Sequence, residues 1–122
     1  MMRMKVVIPT EDATGKTISG HFGRAPYFAW FQVEDGDIKE SGVVPNTSDH
    51  FGGTGSPPEK VKALGADAMI TMGMGMKAIN LFQGYGVAVL KATSASSTDN
   101  IAELSGGRLQ ELTEGCLHAH DH

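Results

Sequence analysis

Three short, uninterrupted apolar runs constrain the fold of this chain more than any other feature. They begin at Lys5, Ala68 and Val87. Continuous apolar runs without polar alternation are typical of strands that are buried on both faces of a sheet. Segments with helical spacing of apolar residues follow the second and the third run. This alternation predicts parallel strands that are joined by helical crossovers.

A hairpin is predicted between the first and second of these runs. Residues 27–33 are aromatic and β-branched, which is typical of a strand, and Asp35-Gly36 favours a tight turn before a return strand over residues 38–44. The predicted order is βββαβαβα. We therefore expect an α/β fold in which a mixed sheet of about five strands has helices on its faces.

The helix boundaries are predicted from capping residues. Ser56 is expected to cap the first helix, with Pro57 at its first position. The second helix is expected to end at Gly84. The third is expected to be capped within Ser97-Thr98-Asp99 and to be closed by Gly106-Gly107.

Length, charge and cysteine count limit the domain number, compartment and partners that we expect for this chain. The chain has 122 residues, a formal net charge of −4 and one cysteine. These values favour a single domain, here residues 1–112, in a reducing cytoplasm without an internal disulfide. No apolar run approaches the roughly 20 residues that span a bilayer, and no Lys/Arg cluster favours a nucleic-acid backbone. We expect neither a membrane nor a nucleic acid as partner.

A Cys/His-rich tail occupies residues 113–122. Cys116, His118, His120 and His122 are soft and borderline ligands, which suit zinc or another divalent metal. In an extended chain alternate residues stand roughly 6.6 Å apart. Zinc ligands lie about 2.0–2.3 Å from the metal, so the tail must bend or hold a larger object such as a cluster. A polar tail without function is the alternative.

His21-Phe22-Gly23-Arg24 lies between the first two predicted strands. The loop after a central strand of an α/β sheet borders the usual ligand crevice. There His21 could ligate a metal and Arg24 could hold an anionic ligand through its guanidinium group. The alternative is a structural turn in which Phe22 packs and His21 is an ordinary polar residue.

Gly73-Met74-Gly75 lies between a strand and a helix. The backbone N–H groups of such a turn, together with a helix N-terminus, favour an anion, although a tight turn without a ligand has the same sequence. Met72, Met74 and Met76 could offer thioethers to a soft metal or fill the core. The helical spacing of Met76 with Ile79 and Phe82 assigns Met76 to the core.

These residues resemble the dinitrogenase iron–molybdenum cofactor biosynthesis family, which includes NifX-like proteins and the C-terminal domain of NifB. The likeness covers roughly residues 4–109. It rests on five features, which are the opening Lys5-Val6-Val7-Ile8-Pro9, His21-Phe22-Gly23-Arg24-Ala25-Pro26-Tyr27-Phe28, Asn46 after the hairpin, the segment 67–75, and Gly86-Val87-Ala88-Val89. The resemblance implies a ribonuclease-H-like fold used without nuclease activity, binding or carriage of iron–sulfur or iron–molybdenum cofactor-type clusters, and His21 as a candidate ligand.

Residues and resemblance together indicate a non-enzymatic carrier of a metallocluster. The ligand would sit near His21, Arg24 and the turn Gly73-Met74-Gly75, and cluster-assembly or acceptor proteins would be partners. A nucleophile–base pair is not visible, and the carboxylates are scattered through loops, which disfavours an enzyme. The alternative is a metal-ion chaperone or sensor that uses the tail, with the folded domain as a partner-binding module.

Overall fold

A computed structural model describes residues 3–48, 53 and 55–112. The elements follow the predicted order βββαβαβα. They are β1 (Arg3–Thr10), β2 (Tyr27–Glu34), β3 (Asp37–Pro45), α1 (Pro57–Ala63), β4 (Ala68–Thr71), α2 (Met76–Tyr85), β5 (Ala88–Lys91) and α3 (Ser97–Ser105).

The five strands form one mixed sheet in the order β3-β2-β1-β4-β5. β1 and β4 are parallel, with Val7 opposite Met69, and β4 and β5 are parallel, with Met69 opposite Val89. The hairpin strands β2 and β3 are antiparallel, as is the pair β1 and β2. The α/β prediction and both strand-direction predictions are confirmed. Asp35 and Gly36 both have positive φ, 52° and 87°, which suits the tight turn of a right-twisted hairpin.

The sheet buries apolar side chains on both faces because successive residues of a strand point to opposite sides. On one face Val7 and Met69 pack beneath α1 and α2, which contribute Val61 and Phe82. On the other face a second cluster includes Ile101 from α3. The central strand is therefore covered on both sides, which explains its uninterrupted apolar sequence.

Two helix boundaries differ from the prediction. The α2 helix continues through Gly84 and ends at Tyr85, where Gly86 adopts φ +77° and its N–H donates to the carbonyls of Gln83 and Phe82. A helix terminates where the backbone takes the left-handed conformation, and that residue is Gly86. The α3 helix is capped by Ser96, whose hydroxyl accepts a hydrogen bond from the Asp99 N–H.

α1 begins as predicted. Ser56 caps it by accepting a hydrogen bond from the Glu59 N–H at 3.4 Å, and a proline occupies the first helical position. Among the residues that the structure describes, no helix is both long and apolar enough to cross a membrane.

A short segment after α3 extends the sheet beyond β5. The Lys91 N–H donates to the Gln110 carbonyl at 2.8 Å, and the Leu112 N–H donates to the Val89 carbonyl at 2.7 Å. The bridge is antiparallel. The chain at Leu112 therefore runs toward the amino end of β5.

Candidate functional site

The loops that carry the predicted site residues meet at the carboxyl end of the sheet, where β1, β4 and β5 finish. β1 ends at Thr10 and its parallel neighbour β4 ends at Thr71. Tyr27 at the start of β2 lies opposite Thr10, and Pro45 at the end of β3 lies opposite Tyr27. Residues 21–24 (the His21 turn), Asn46 and residues 73–75 (the glycine turn) consequently share this end.

The His21 turn alternates exposed and buried side chains. His21 and Arg24 are exposed, whereas Phe22 and Ala25 are buried. The Ala25 N–H donates to the Phe22 carbonyl at 3.4 Å and closes the turn. The two side chains that sequence reasoning selected for ligand binding are thus the two that face solvent.

Phe22 joins the His21 turn to the core. Its ring centroid lies 6.0 Å from that of Phe28 on β2 and 5.4 Å from that of Phe82 on α2. Met74 of the glycine turn belongs to the same hydrophobic cluster. The two segments predicted to bind a ligand are therefore packed on one common core.

Ser19 holds the first end of the His21 turn. Its hydroxyl oxygen accepts a hydrogen bond from the His21 N–H at 3.2 Å and lies 2.9 Å from a carboxylate oxygen of Glu11. The Ser19 N–H donates to the Pro9 carbonyl at 2.8 Å. Ser19 is 1% exposed. These bonds tie the His21 backbone to the end of β1.

Asn46 holds the other end of the turn, a role that sequence reasoning missed. Its side-chain Nδ2 donates to the Ala25 carbonyl at 2.8 Å, and its backbone N–H donates to the Pro26 carbonyl at 2.9 Å. Its Oδ1 accepts from the Ser48 N–H at 3.0 Å. The sequence marks Asn46 as one of the features that carry the family resemblance, but its hydrogen-bonding role becomes visible only through its burial and contacts in the folded chain.

The glycine turn leaves the N-terminus of α2 open. Gly75 takes the N-cap position with φ −71° and ψ 160° and offers no capping side chain. A Cβ at Gly75 would meet nothing within 4 Å. The first turn of α2 has no acidic residue, whereas α1 and α3 each have a serine cap and a carboxylate there. The helix dipole at this end is therefore not offset by an acidic residue of its own first turn.

Of the three methionines around the glycines, Met76 differs from expectation, whereas Met72 and Met74 pack as the core alternative predicts. Met74 is buried in the core at 6% exposure, and Met76, which its spacing assigned to the core, is only partly buried. Met72 packs against the cluster on the opposite face of the sheet. Because the Met74 side chain is buried in the core, its thioether is not presented at the surface.

Within residues 3–48, 53 and 55–112, no three His, Cys, Asp or Glu side chains come together in a way that could hold a metal ion. His21 would therefore act as one ligand to a larger object rather than complete a closed zinc site in this part of the chain. The predicted tail ligands Cys116, His118, His120 and His122 lie outside the described residues.

Comparisons with known proteins agree with the fold and the motifs. An uncharacterised protein of Methanocaldococcus jannaschii is 30% identical over 111 residues, which are 89% of this chain and 92% of that protein. The crystal structure of a protein called PH0822 is 34% identical, with a TM-score of 0.76 over 88% of this chain and 94% of that one. The apo form of the orange protein from Desulfovibrio gigas, 16% identical, shares the fold with a TM-score of 0.76 over 94% of this chain and 98% of that one.

The family comparison covers nearly the whole described part of the chain. Residues 2–107 match the family described as dinitrogenase iron–molybdenum cofactor. This range includes the His21 turn, Asn46 and the glycine turn, and it ends before the Cys/His tail. The chain belongs to the dinitrogenase iron–molybdenum cofactor family.

Proposed function

We propose that this protein binds or carries an iron–sulfur or iron–molybdenum cofactor-type metallocluster and does not act as an enzyme. The cluster would lie at the carboxyl end of the sheet, between the His21 turn and the glycine turn. One observation carries the proposal, namely that an exposed imidazole stands on a turn packed against the helix whose N-terminus has no side-chain cap. His21 supplies the ligand, and the backbone of residues 73–75 faces the anionic surface of the cluster.

Local charge supports an anionic ligand at this place. Arg24 is exposed on the His21 turn, and Lys77 is exposed in the first turn of α2. Within the described residues neither forms an ion pair, and the pair that is present joins Arg108 to Glu103 at the far end of α3. Arg24 on the His21 turn and Lys77 at the open N-terminus of α2 favour a ligand of net negative charge at this end of the sheet, although the Glu11 carboxylate lies at the same end.

Anaerobic reconstitution tests the proposal. The full chain is incubated with ferrous iron and sulfide, and the absorption of a bound cluster is measured after removal of free metal. We expect a chromophore with the wild-type chain and at least about tenfold weaker binding with His21→Ala, the order of loss seen when a metal site is impaired. The melting temperature should scarcely change, because His21 is exposed.

Gln83→Ala is the matched control, since Gln83 is exposed at the far end of α2. It should leave both the chromophore and the melting temperature unchanged. A wild-type chain that takes up no cluster, or a His21→Ala chain that binds as well as wild type, would contradict the proposal.

The same proposal includes two kinds of protein partner. A small carrier without chemistry of its own must receive the cluster from an assembly protein and deliver it to an acceptor. Iron–sulfur clusters of this kind require a reducing compartment, and a chain whose single cysteine cannot form an internal disulfide suits the cytoplasm.

The tail supports a second candidate, a metal-ion chaperone or sensor. Leu112 is bonded to Val89 while the chain runs toward the amino end of β5. Cys116 lies four residues beyond Leu112, so its reach is about 14 Å at full extension. To reach the end of β4, the chain after Leu112 must turn back by about 7 Å toward the carboxyl end of the sheet. It must also cross two strand spacings of about 4.8 Å each. That path leaves Cys116 little reach to spare, so we propose that Cys116 binds metal together with the tail histidines rather than at the sheet end.

Parallel titrations separate the two candidates. The full chain, Cys116→Ser and a truncation that ends at Gly115 are each titrated with zinc and, separately, reconstituted with iron and sulfide. A tail site predicts that zinc affinity falls in both variants and that binding releases protons from the thiol and imidazoles. A cluster at the sheet end predicts that the chromophore survives both changes. Equal zinc affinity in all three chains would show that the tail binds no metal.

A further inference from the structure

We infer that Asn46 is a positioning residue for His21 and Arg24, with Ser19 as its counterpart at the other end of the His21 turn. The inference rests on the proposed function, because the purpose of the positioning is to aim these two side chains at a cluster. Neither residue would touch the ligand. Each is almost completely buried, Ser19 at 1% and Asn46 at 3% exposure.

The chemistry of the turn explains why an asparagine is needed. At the second end of the turn the chain offers two carbonyl acceptors, those of Ala25 and Pro26, and Pro26 has no N–H to give. Asn46 supplies one donor to each, from Nδ2 and from its own backbone. Its Oδ1 meanwhile accepts from the Ser48 N–H. An asparagine side chain can donate and accept at once, whereas an aspartate can only accept.

The three anchors of the turn lie directly beneath its exposed side chains. Ser19 fixes the His21 N–H, Phe22 inserts into the core, and Asn46 fixes the Ala25 carbonyl. His21 and Arg24 lie between these fixed points. Their Cα–Cβ directions are therefore set before any ligand arrives, which is the condition for a precise site on a loop.

Asn46 also fixes the neighbouring wall of the site. Through Ser48 it holds the start of the connection from β3 to α1, and the Gly53 N–H donates back to the Ser48 carbonyl at 3.0 Å. Loss of the Asn46 side chain would consequently loosen the turn that carries His21 and the connection beside it together.

Asn100 provides a matched control of the same chemistry. It is fully buried, its Nδ2 donates to the carbonyls of Ser94 and Ser96 at 2.9 and 2.7 Å, and its Oδ1 accepts from the Thr93 N–H at 2.8 Å. It holds the loop between β5 and α3, which carries none of the proposed ligand residues and bonds to residues 16–18 rather than to the His21 turn itself. Asn46→Asp and Asn100→Asp each remove the donors and keep the acceptor.

The first measurement is cluster binding by the full chain, with ferrous iron and sulfide as the probe. Affinity is expressed per folded molecule, well below the melting temperature of each variant. We expect Asn46→Asp to bind about tenfold more weakly and Asn100→Asp to bind as wild type despite a similar loss of thermal stability. In a His21→Ala background Asn46→Asp should cause a smaller further loss, limited to the contribution of Arg24, because the His21 contact is already gone.

The second measurement needs no cluster. Backbone ¹⁵N relaxation of the metal-free chain should give order parameters near 0.85 for residues 21–24 and lower values in Asn46→Asp but not in Asn100→Asp. If Asn46→Asp does not fold, Ser19→Ala releases the other end of the turn and replaces it in both measurements.

The outcomes are distinguishable. Unchanged order parameters at residues 21–24 in Asn46→Asp would overturn the inference, as would equal affinity losses from Asn46→Asp with and without His21. If the order parameters fall but the wild-type chain takes up no cluster, Asn46 does position the turn and the proposed function fails instead.

Discussion

The rings of Phe22 and Phe82 meet edge to face, with centroids 5.4 Å apart and planes at 74°. Phe22 lies next to His21 in the chain, and Phe82 lies on the helix that begins at the glycine turn. A single aromatic contact therefore joins the His21 turn to the helix that follows the glycine turn. The same contact makes the geometry of the site depend on core packing.

Replacement of Phe22 tests this dependence. Phe22 is 6% exposed, and removal of a buried phenyl ring typically costs about 3–5 kcal/mol of unfolding free energy. We expect Phe22→Ala to lower the urea midpoint accordingly and also to weaken cluster binding by the molecules that remain folded. Leu81→Ala, on the exposed side of α2, should cost less than about 1 kcal/mol and leave binding intact. A small stability loss for Phe22→Ala would show that the ring is not a core anchor.

A side-chain cap on α2 should raise the stability of the protein and weaken cluster binding. Gly75 has N-cap geometry and open space around its Cβ position, so an aspartate fits there without strain. Gly75→Asp should stabilise the protein by a few tenths to about 1 kcal/mol, through capping and the helix dipole. Cluster binding should weaken, because the carboxylate would occupy the N–H groups and repel an anion. Gly75→Asn offers a cap without the charge and should weaken binding less. Undiminished binding by Gly75→Asp would exclude the helix N-terminus from the site.

Two glycines near the end of α2 should respond to alanine in opposite directions. Gly84 is inside the helix and Gly86 follows it at φ +77°, and an added Cβ meets nothing within 4 Å at either position. Gly84→Ala should therefore stabilise the protein by about 0.5–1 kcal/mol. Gly86→Ala should destabilise it by about 1–2 kcal/mol because the left-handed conformation is strained for alanine. Thermal unfolding of both variants measures these changes in stability. A loss of stability in Gly84→Ala together with a gain in Gly86→Ala would place the helix end at Gly84.

If the protein is not an enzyme, as proposed, it should not cleave RNA–DNA hybrids. Two-metal cleavage of RNA–DNA hybrids needs carboxylates that converge from neighbouring strands, and β1, β4 and β5 contain no Asp or Glu. We expect no Mg²⁺- or Mn²⁺-dependent cleavage of a labelled hybrid above that of a mock preparation. Turnover that disappears when a single carboxylate such as Glu11 is replaced would assign the protein to the enzymes.

Much of the candidate site could be predicted from local sequence. The position of His21 and Arg24 after a central strand, and of a glycine turn before a helix, follows from element order together with the rule that parallel strands end on the same side. The exposure of His21 and Arg24 agrees with the predicted roles. The supporting residues could not be predicted in this way, because Ser19 and Asn46 act through carbonyls and N–H groups that only folding brings within reach.

The two misplaced helix boundaries and the partial burial of Met76, which was expected in the core, have one physical cause. Gly84 and Gly86 are equally able to end a helix, as are Ser96 and Ser97 to cap one, and helical spacing alone places Met76 in the core. Each choice is settled by less than about 1 kcal/mol of local preference. Packing on the sheet outweighs such differences, as when it buries Met74.

The sequence by itself determined the order of the strands and helices, their directions and the end of the sheet where a ligand would sit. Apolar periodicity, turn residues and crossover handedness are local or topological rules, and they act before any contact forms. The tertiary structure alone decided that Phe22 packs the His21 turn against α2, that Ser19 and Asn46 hold the His21 turn, and that the chain at Leu112 runs toward the amino end of β5. Those relationships join residues distant in the chain, and their hydrogen bonds and ring contacts form only when the sheet and helices pack together.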